Sequence, residues 1–374
     1  MKNLKKTIIF NVVLILCILF NLSAWRSREF ADFFTDNIFS IITKPYGRLT
    51  SLVKFSVGEV MLIILLVIIA CSLCCLVASI FYALRKKDAP GMFKGFRRIL
   101  LKVLPILFLT VCVIMSLNCF VLYHCTPIKT GKVTKDSYSI EELARLRDYI
   151  VGKCNELSLQ VTRDSEGNVV YEGDMAMAAR EAVKKLSGEY KRFDGYFVRP
   201  KVLTFSGFMS QQYMMGYYFP FSMEANINGQ MYIMNKPFTM CHELSHTAGY
   251  IYEDEANFLG YYSCIRSDDP VFNYSGYLGV LPYVNNDFYN SVGRDEYKRH
   301  VAISEEVRFD SQFLTDKAWE EVEKNAVFDT ETVKKAADTF IDANLKVNGI
   351  AAGKASYSHV VGLLLDYYNN NPYN

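Results

Sequence analysis

Histidine is scarce in this chain, with five in 374 residues. An excess of either charge is lacking too: 41 Lys and Arg stand against 39 Asp and Glu, a formal net charge of +2 that makes no case for nucleic-acid binding. There is no glycine-rich phosphate loop and no serine-centred nucleophile elbow, which removes two common routes to nucleotide and acyl-transfer chemistry. No internal repeat is visible, and low-complexity sequence is confined to the Asn-rich tail, residues 369–374.

What is present divides into two materials. The first third is apolar with basic punctuation and holds three runs, residues 7–24, 57–84 and 99–123, each near or above the ~20 residues that cross a bilayer. The last two runs have no polar face to offer solvent, so they fit lipid better than a soluble core. The first follows Lys2, Lys5 and Lys6 as a signal peptide would, but Leu22 occupies a cleavage position that prefers a small residue, which favours an uncleaved anchor. Between the second and third runs, Arg85, Lys86, Lys87, Lys94, Arg97 and Arg98 face only Asp88, a cytoplasmic loop by the positive-inside rule. Residues 1–124 are therefore expected to be a multi-pass domain in the cytoplasmic membrane, 125–138 a polar linker, and 139–374 a water-phase domain outside it.

Within that outer domain, His242-Glu243-Leu244-Ser245-His246 places a pair of the chain's histidines four residues apart. On a helix this spacing puts both imidazoles on one face, where their ring nitrogens converge on one ion. Glu243 then lies beside the metal, placed to take a proton from an attacking water without ligating. Pro237 suits a first helical turn and Thr239 an N-cap, while Gly249 suits the left-handed turn that ends the helix. A second helix is expected from Glu253-Asp254-Glu255-Ala256-Asn257. Its phase puts Glu253 and Asn257 on one face and Glu255 on the opposite side, so Glu253 is the expected third ligand, Glu255 the alternative, and Asn257 a partner that orients a ligand histidine. Asp254 and Glu255 otherwise read as solvated charges of a first turn. Cys241 points about 100° away from His242 and is not expected to ligate.

HExxH followed by Glu-x-x-x-Asp is the gluzincin pattern, and this chain resembles it with Asn257 where Asp is usual. More closely it resembles the bacterial membrane family catalogued as domain of unknown function 3810, on Pro220-Phe221, Glu224-Ala225-Asn226, Pro237-Phe238-Thr239 leading into the motif, Glu253 through Leu259, and Ser356-Tyr357 before Val360 to Leu365. The resemblance implies a gluzincin-like zinc site and leaves the substrate open.

The remaining segments set further expectations. Residues 139–157 and 175–186 read as helices, the first capped by Ser139 with Glu142 three residues on. Residues 198–205 and 230–234 read as strands, and the resemblance places a strand at the edge of the cleft. The aromatic stretch 211–221 reads as packing or as a groove wall, and Glu224 and Asn226 equally as site-associated or solvated. Residues 294–309, 311–324, 330–347 and 356–368 read as helices, with His300 and His359 as ordinary surface or core residues. Cys17, Cys71, Cys74, Cys75, Cys112 and Cys119 lie in the apolar runs, while Cys125, Cys154, Cys241 and Cys264 fall where disulfides are permitted, with no pairing chosen.

The expected fold class is therefore α+β and mainly helical: three N-terminal transmembrane helices, then a zincin-like extracytoplasmic domain with a short β-sheet beside the HExxH helix. The expected function is a membrane-anchored zinc metallopeptidase acting on a peptide or protein substrate, with His242, His246 and Glu253 on Zn2+ and Glu243 as base. A non-catalytic zinc-binding envelope protein is the alternative, although such a site has no use for Glu243.

Overall fold

The computed structural model describes residues 2–128, 138–348, 350 and 359–371. Most of the expected linker and the Ser356-Tyr357 pair lie outside the described residues. Among the described residues three helices are long and apolar enough to cross a membrane: α1 (Lys2–Arg26), α4 (Val57–Leu84), and α5 (Gly91–Asn118), which runs on as a 3-10 turn, Phe120–His124. The second matches its expected bounds. The third begins eight residues before position 99, because the hydropathy pattern stops at Lys94, Arg97 and Arg98 whereas the helical backbone does not. Asn21 of α1 donates to Ser116 Oγ of α5 at 2.7 Å, pinning these two helices together.

The stretch between α1 and α4, for which the sequence set no helical expectation, is helical. It comprises α2 (Arg28–Phe34), a π-turn (Thr35–Phe39) and α3 (Ser40–Thr50). Its inward face packs on the rest of the protein, where Asp32 accepts from the Thr126 amide and hydroxyl and Asp36 pairs with Arg192.

Beyond the membrane helices the fold is built around α9 (Lys236–Thr247). Helices α7 (Met175–Lys184), α10 (Glu253–Ile265) and α11 (Pro270–Val292) pack on it, as does a three-stranded sheet. Helix α6 (Ile140–Leu157), with its Ser139/Glu142 capping box as expected, lies along α11, and α16 (Val360–Asn370) along α10. The 23-residue α11 was not among the expected helices, and it contains Gly276, Gly279 and Pro282, residue types that disfavour a helix interior. In the structure Pro270 sits in its first turn, Asp269 caps it, and Gly279 lies against the Phe238 ring.

The sheet has the order β1-β3-β2, with β1 (Lys201–Val202) parallel and β2 (Gly216–Phe219) antiparallel to β3 (Glu224–Ile227). The expected strand 198–205 thus shrinks to two residues, and a short helix, α8 (Ser206–Gln211), follows it. Residues 230–234 form no strand: the Tyr232 amide donates to the Phe313 carbonyl, and a 3-10 turn at Ile233–Asn235 leads directly into α9. The expected helix 294–309 is two short pieces, α12 (Arg294–Tyr297) and α13 (Glu305–Asp310). Segment 311–324 becomes helical only at α14 (Asp316–Lys324), where Thr315 caps it. Helix α15 (Thr330–Val347) stands as expected, capped by Asp329.

Glu224 ties sheet to membrane helix. It is 1% exposed and accepts from the Val57 and Gly58 amides at 3.0 and 2.8 Å, from the Ser56 and Ser222 hydroxyls, and from the Lys201 ammonium. The first-turn amides of α4 have no intrahelical acceptor, so this carboxylate caps the helix while its charge is balanced by Lys201. The reading of Glu224 and Asn226 as solvated is thereby corrected, since both are buried in β3. Replacing Glu224 with Ala strands the Lys201 charge and should cost about 3–5 kcal/mol. Thermal unfolding of the full chain in detergent checks this: Glu224→Ala lowers the midpoint clearly, and adding Lys201→Met restores some of the loss.

Candidate metal centre

Helix α9 presents His242 and His246 toward α10, one turn apart as the spacing requires. Its start differs from expectation. Asn235 is the residue before the helix, Pro237 lies in the first turn, and Thr239 is an interior residue whose hydroxyl donates back to the Asn235 carbonyl at 2.7 Å, so Thr239 is not the cap. The end is as expected, with Gly249 at φ +98 just after the helix, a conformation that a side chain would strain. This turn carries the chain into α10, which begins at Glu253.

The two helices bring together one ligand atom from each of three residues. His242 Nε2 lies 3.1 Å from His246 Nε2, and Glu253 Oε2 lies 3.2 Å from the first and 3.6 Å from the second. A zinc ion with bonds of about 2.0–2.1 Å in tetrahedral geometry separates its ligand atoms by about 3.3–3.4 Å, so the three measured separations match the edges of one tetrahedral face. The donor chemistry fits as well. His246 Nδ1 donates to the Tyr250 carbonyl at 2.7 Å, so its Nε2 is the nitrogen left to bind a cation. Two imidazole nitrogens and a carboxylate oxygen then converge where a cation would sit. The fold also supplies what the sequence did not announce: the Gly249 turn is what brings the Tyr250 carbonyl onto His246.

The other expected residues are placed as follows. Glu243 is buried between α9 and β2; its Oε2 has no hydrogen-bond partner, and a Cβ at Gly216 of β2 would stand 2.7 Å from its Oε1. Asn257 is buried beside His242 and favours the charged imidazole, but neither Asn257 Nδ2 nor His242 Nδ1 makes a hydrogen bond. Glu255 is buried rather than solvated. It faces away from the cluster and accepts from the Ile128 amide at 2.6 Å, and burial pushes its pKa up to about 8. Cys241 points to the Ala179 carbonyl of α7. Two tyrosines border the site: Tyr218 of β2, from the aromatic stretch 211–221, with its ring 6.3 Å from that of His246, and Tyr283 of α11, not singled out in the sequence, whose hydroxyl is pushed up to about 12 by burial and by the Glu253 charge.

Electrostatics sharpen the picture. Burial lowers the His242 pKa. Burial would also lower that of His246, but the Glu253 carboxylate outweighs it and raises the value to about 9. Glu253 itself is held well below the usual carboxylate range, because His246 and His242 overcome the opposing effect of burial. Burial raises Glu243 to about 8. At neutral pH the metal-free cluster therefore holds a proton on His246, against the ionised Glu253.

A metal must displace that proton, so affinity should rise with pH up to about 9 and weaken below it, approaching tenfold per pH unit for one proton. Calorimetric zinc titrations at pH 7 in buffers of different ionisation enthalpy check this: about one proton is released per ion bound, and His246→Ala removes the release along with the tight site.

No curated protein and no solved structure matches this chain. Residues 34–365 match the family model described as Protein of unknown function (DUF3810), and the chain belongs to that family.

Proposed function

We propose that this protein is a membrane-anchored zinc metallopeptidase with its site in a zincin-like domain on the extracytoplasmic side. The observation that carries this reading is the convergence of His242, His246 and Glu253 beside a buried carboxylate, Glu243, that does not belong to the converging set. A zinc ion bound there would polarise the scissile carbonyl and make water a better nucleophile. Glu243 accepts the proton of the attacking water and passes it to the leaving amine, a task suited to a group whose burial already raises its proton affinity. Glu253 supplies the anionic ligand, and the Tyr250 carbonyl fixes the His246 ring. Among the described residues β2 pairs only with β3, so its other edge, beside α9, has the backbone groups to hold an extended peptide. Sidedness is supported by six basic residues at the junction of α4 and α5, Arg85, Lys86 and Lys87 between them and Lys94, Arg97 and Arg98 in the first turns of α5, opposite the end at which α5 leads into the site domain.

Two measurements test this. Zinc-loaded full-length protein should cleave members of a broad peptide library, and Glu243→Gln should lower the rate by about 10²–10⁴-fold while still binding zinc; equal cleavage by the variant would remove Glu243 from the chemistry. For sidedness, alkaline phosphatase fused after the last residue should be active in intact cells, and an inactive fusion would put the domain in the cytoplasm.

A further inference from the structure

The helical segment between α1 and α4 has two apolar faces, and the protein covers only one. Thr35, Phe39, Thr43, Gly47 and Thr50 recur at helical spacing and are buried against the site domain. Thr35 and Phe39 lie against the Gly249 turn that follows His246, and Gly47 against Val198. On the opposite side Ile38, Ile41, Ile42 and Leu49 fall within an arc of about 100°, wide enough to make a continuous apolar stripe, and Leu52 follows in the turn after α3. Ile41 is 69% exposed, Leu49 63% and Leu52 80%. The stripe contains no charged residue. Four charges of this segment turn back to the protein: Asp32 and Asp36 pair with Arg192, Lys44 donates to the Asp194 carbonyl, and Arg48 stacks on the Tyr196 ring; Arg28, Glu29 and Lys54 are exposed and fall outside the arc of the stripe.

We infer that this stripe lies in the surface of the lipid bilayer, so that the helical segment of residues 28–50 and the turn that follows it lie in the membrane plane and the site domain rests on them. Chain continuity identifies the occupant. The segment starts two residues after α1 ends at Arg26 and reaches α4 at Val57, so both of its ends are fixed to apolar helices of membrane-crossing length. At the same end of these helices Asn118, the last residue of α5, donates to the Pro220 carbonyl, and Glu59 of α4 accepts from the Thr204 and Phe205 amides. The site domain is thus clasped at the membrane surface from several points, and the only partner that must be present along the whole length of the segment is lipid. An in-plane helix typically sinks its apolar face about 5–10 Å into the headgroup and acyl boundary. Because its other face touches the turn after His246, the metal centre stands about one helix diameter, ~10–12 Å, above that boundary. If the peptidase reading holds, the favoured substrates are polypeptides cut close to the point where they leave the same membrane. The lipid contact itself does not depend on that reading.

Tryptophan fluorescence in vesicles tests the contact without reference to activity. Ile41→Trp and Leu52→Trp are made separately in the full chain after Trp25→Phe and Trp319→Phe, and reconstituted in phosphatidylcholine–phosphatidylglycerol vesicles with acyl chains brominated near the headgroup. Both sites are exposed, so the substitutions leave the core alone. Leu66→Trp in α4 marks the lipid-buried limit, and Leu159→Trp, on an exposed turn after α6, marks the water-phase limit. The inference predicts quenching at Ile41→Trp and Leu52→Trp several-fold above that at Leu159→Trp and near that at Leu66→Trp. Quenching no stronger than at Leu159→Trp overturns it. A blue-shifted but unquenched emission overturns it equally, because protein would then cover the stripe.

Discussion

Glu253 keeps its negative charge where its side chain is only 17% exposed, because two imidazoles stand against it. An uncompensated carboxylate there would cost several kcal/mol or take up a proton. The surrounding structure can be read as the means of holding that compensation in place. Helix α9 fixes the two rings one turn apart, the Gly249 turn reverses the chain, and α10 begins at the residue that must face them. The same turn aims the Tyr250 carbonyl at His246 and so leaves the ring nitrogen that faces the cluster without its proton when a cation is present. Glu243 is kept apart from this pairing by its position on α9, against β2, where burial and not a partner sets its proton affinity.

A second buried carboxylate does for the membrane what Glu253 does for the centre. Glu224 sits in β3, next to the strand that borders Glu243, and caps the first turn of α4. Glu59, one turn into α4, reaches back to the amides of Thr204 and Phe205 after β1. The sheet region and the second apolar helix are therefore joined by carboxylate–amide hydrogen bonds from both sides, a stiff connection between α4 and the site domain rather than a tether. Together with the packing of Thr35 and Phe39 on the Gly249 turn, this brings the membrane-facing elements into the site's frame.

What was legible in the sequence was what is local. The four-residue step of the histidines, the glycine stop and the helix phase that distinguishes Glu253 from Glu255 all act within a turn or two, and they bring His242, His246 and Glu253 together with Glu243 beside them, as in the structure. The apolar runs were legible for the same reason. Elements held by distant partners were not. Strands β2 and β3 are four residues each and owe their existence to each other and to α9, so the aromatic run of β2 read as packing or a groove wall while residues 230–234 drew the strand prediction. Helix α11 was hidden by glycines and a proline that serve close packing, and the segment 28–50 by carrying apolar residues on both faces. The Tyr250 carbonyl has no sequence signature at all, being a backbone group. Glu255 looked like a surface charge because nothing in the sequence announces that the Ile128 amide will cover it.

The central claim is that two imidazoles and one carboxylate hold a zinc ion. X-ray absorption at the zinc edge of the full-length protein, loaded with one equivalent of metal, tests it most directly. The account predicts a first shell of nitrogen and oxygen at about 2.0–2.1 Å with the outer-shell scattering of two imidazoles, and the loss of an oxygen and of tight binding in Glu253→Ala. A sulfur shell near ~2.3 Å, or zinc that binds Glu253→Ala as tightly as the parent, would contradict it.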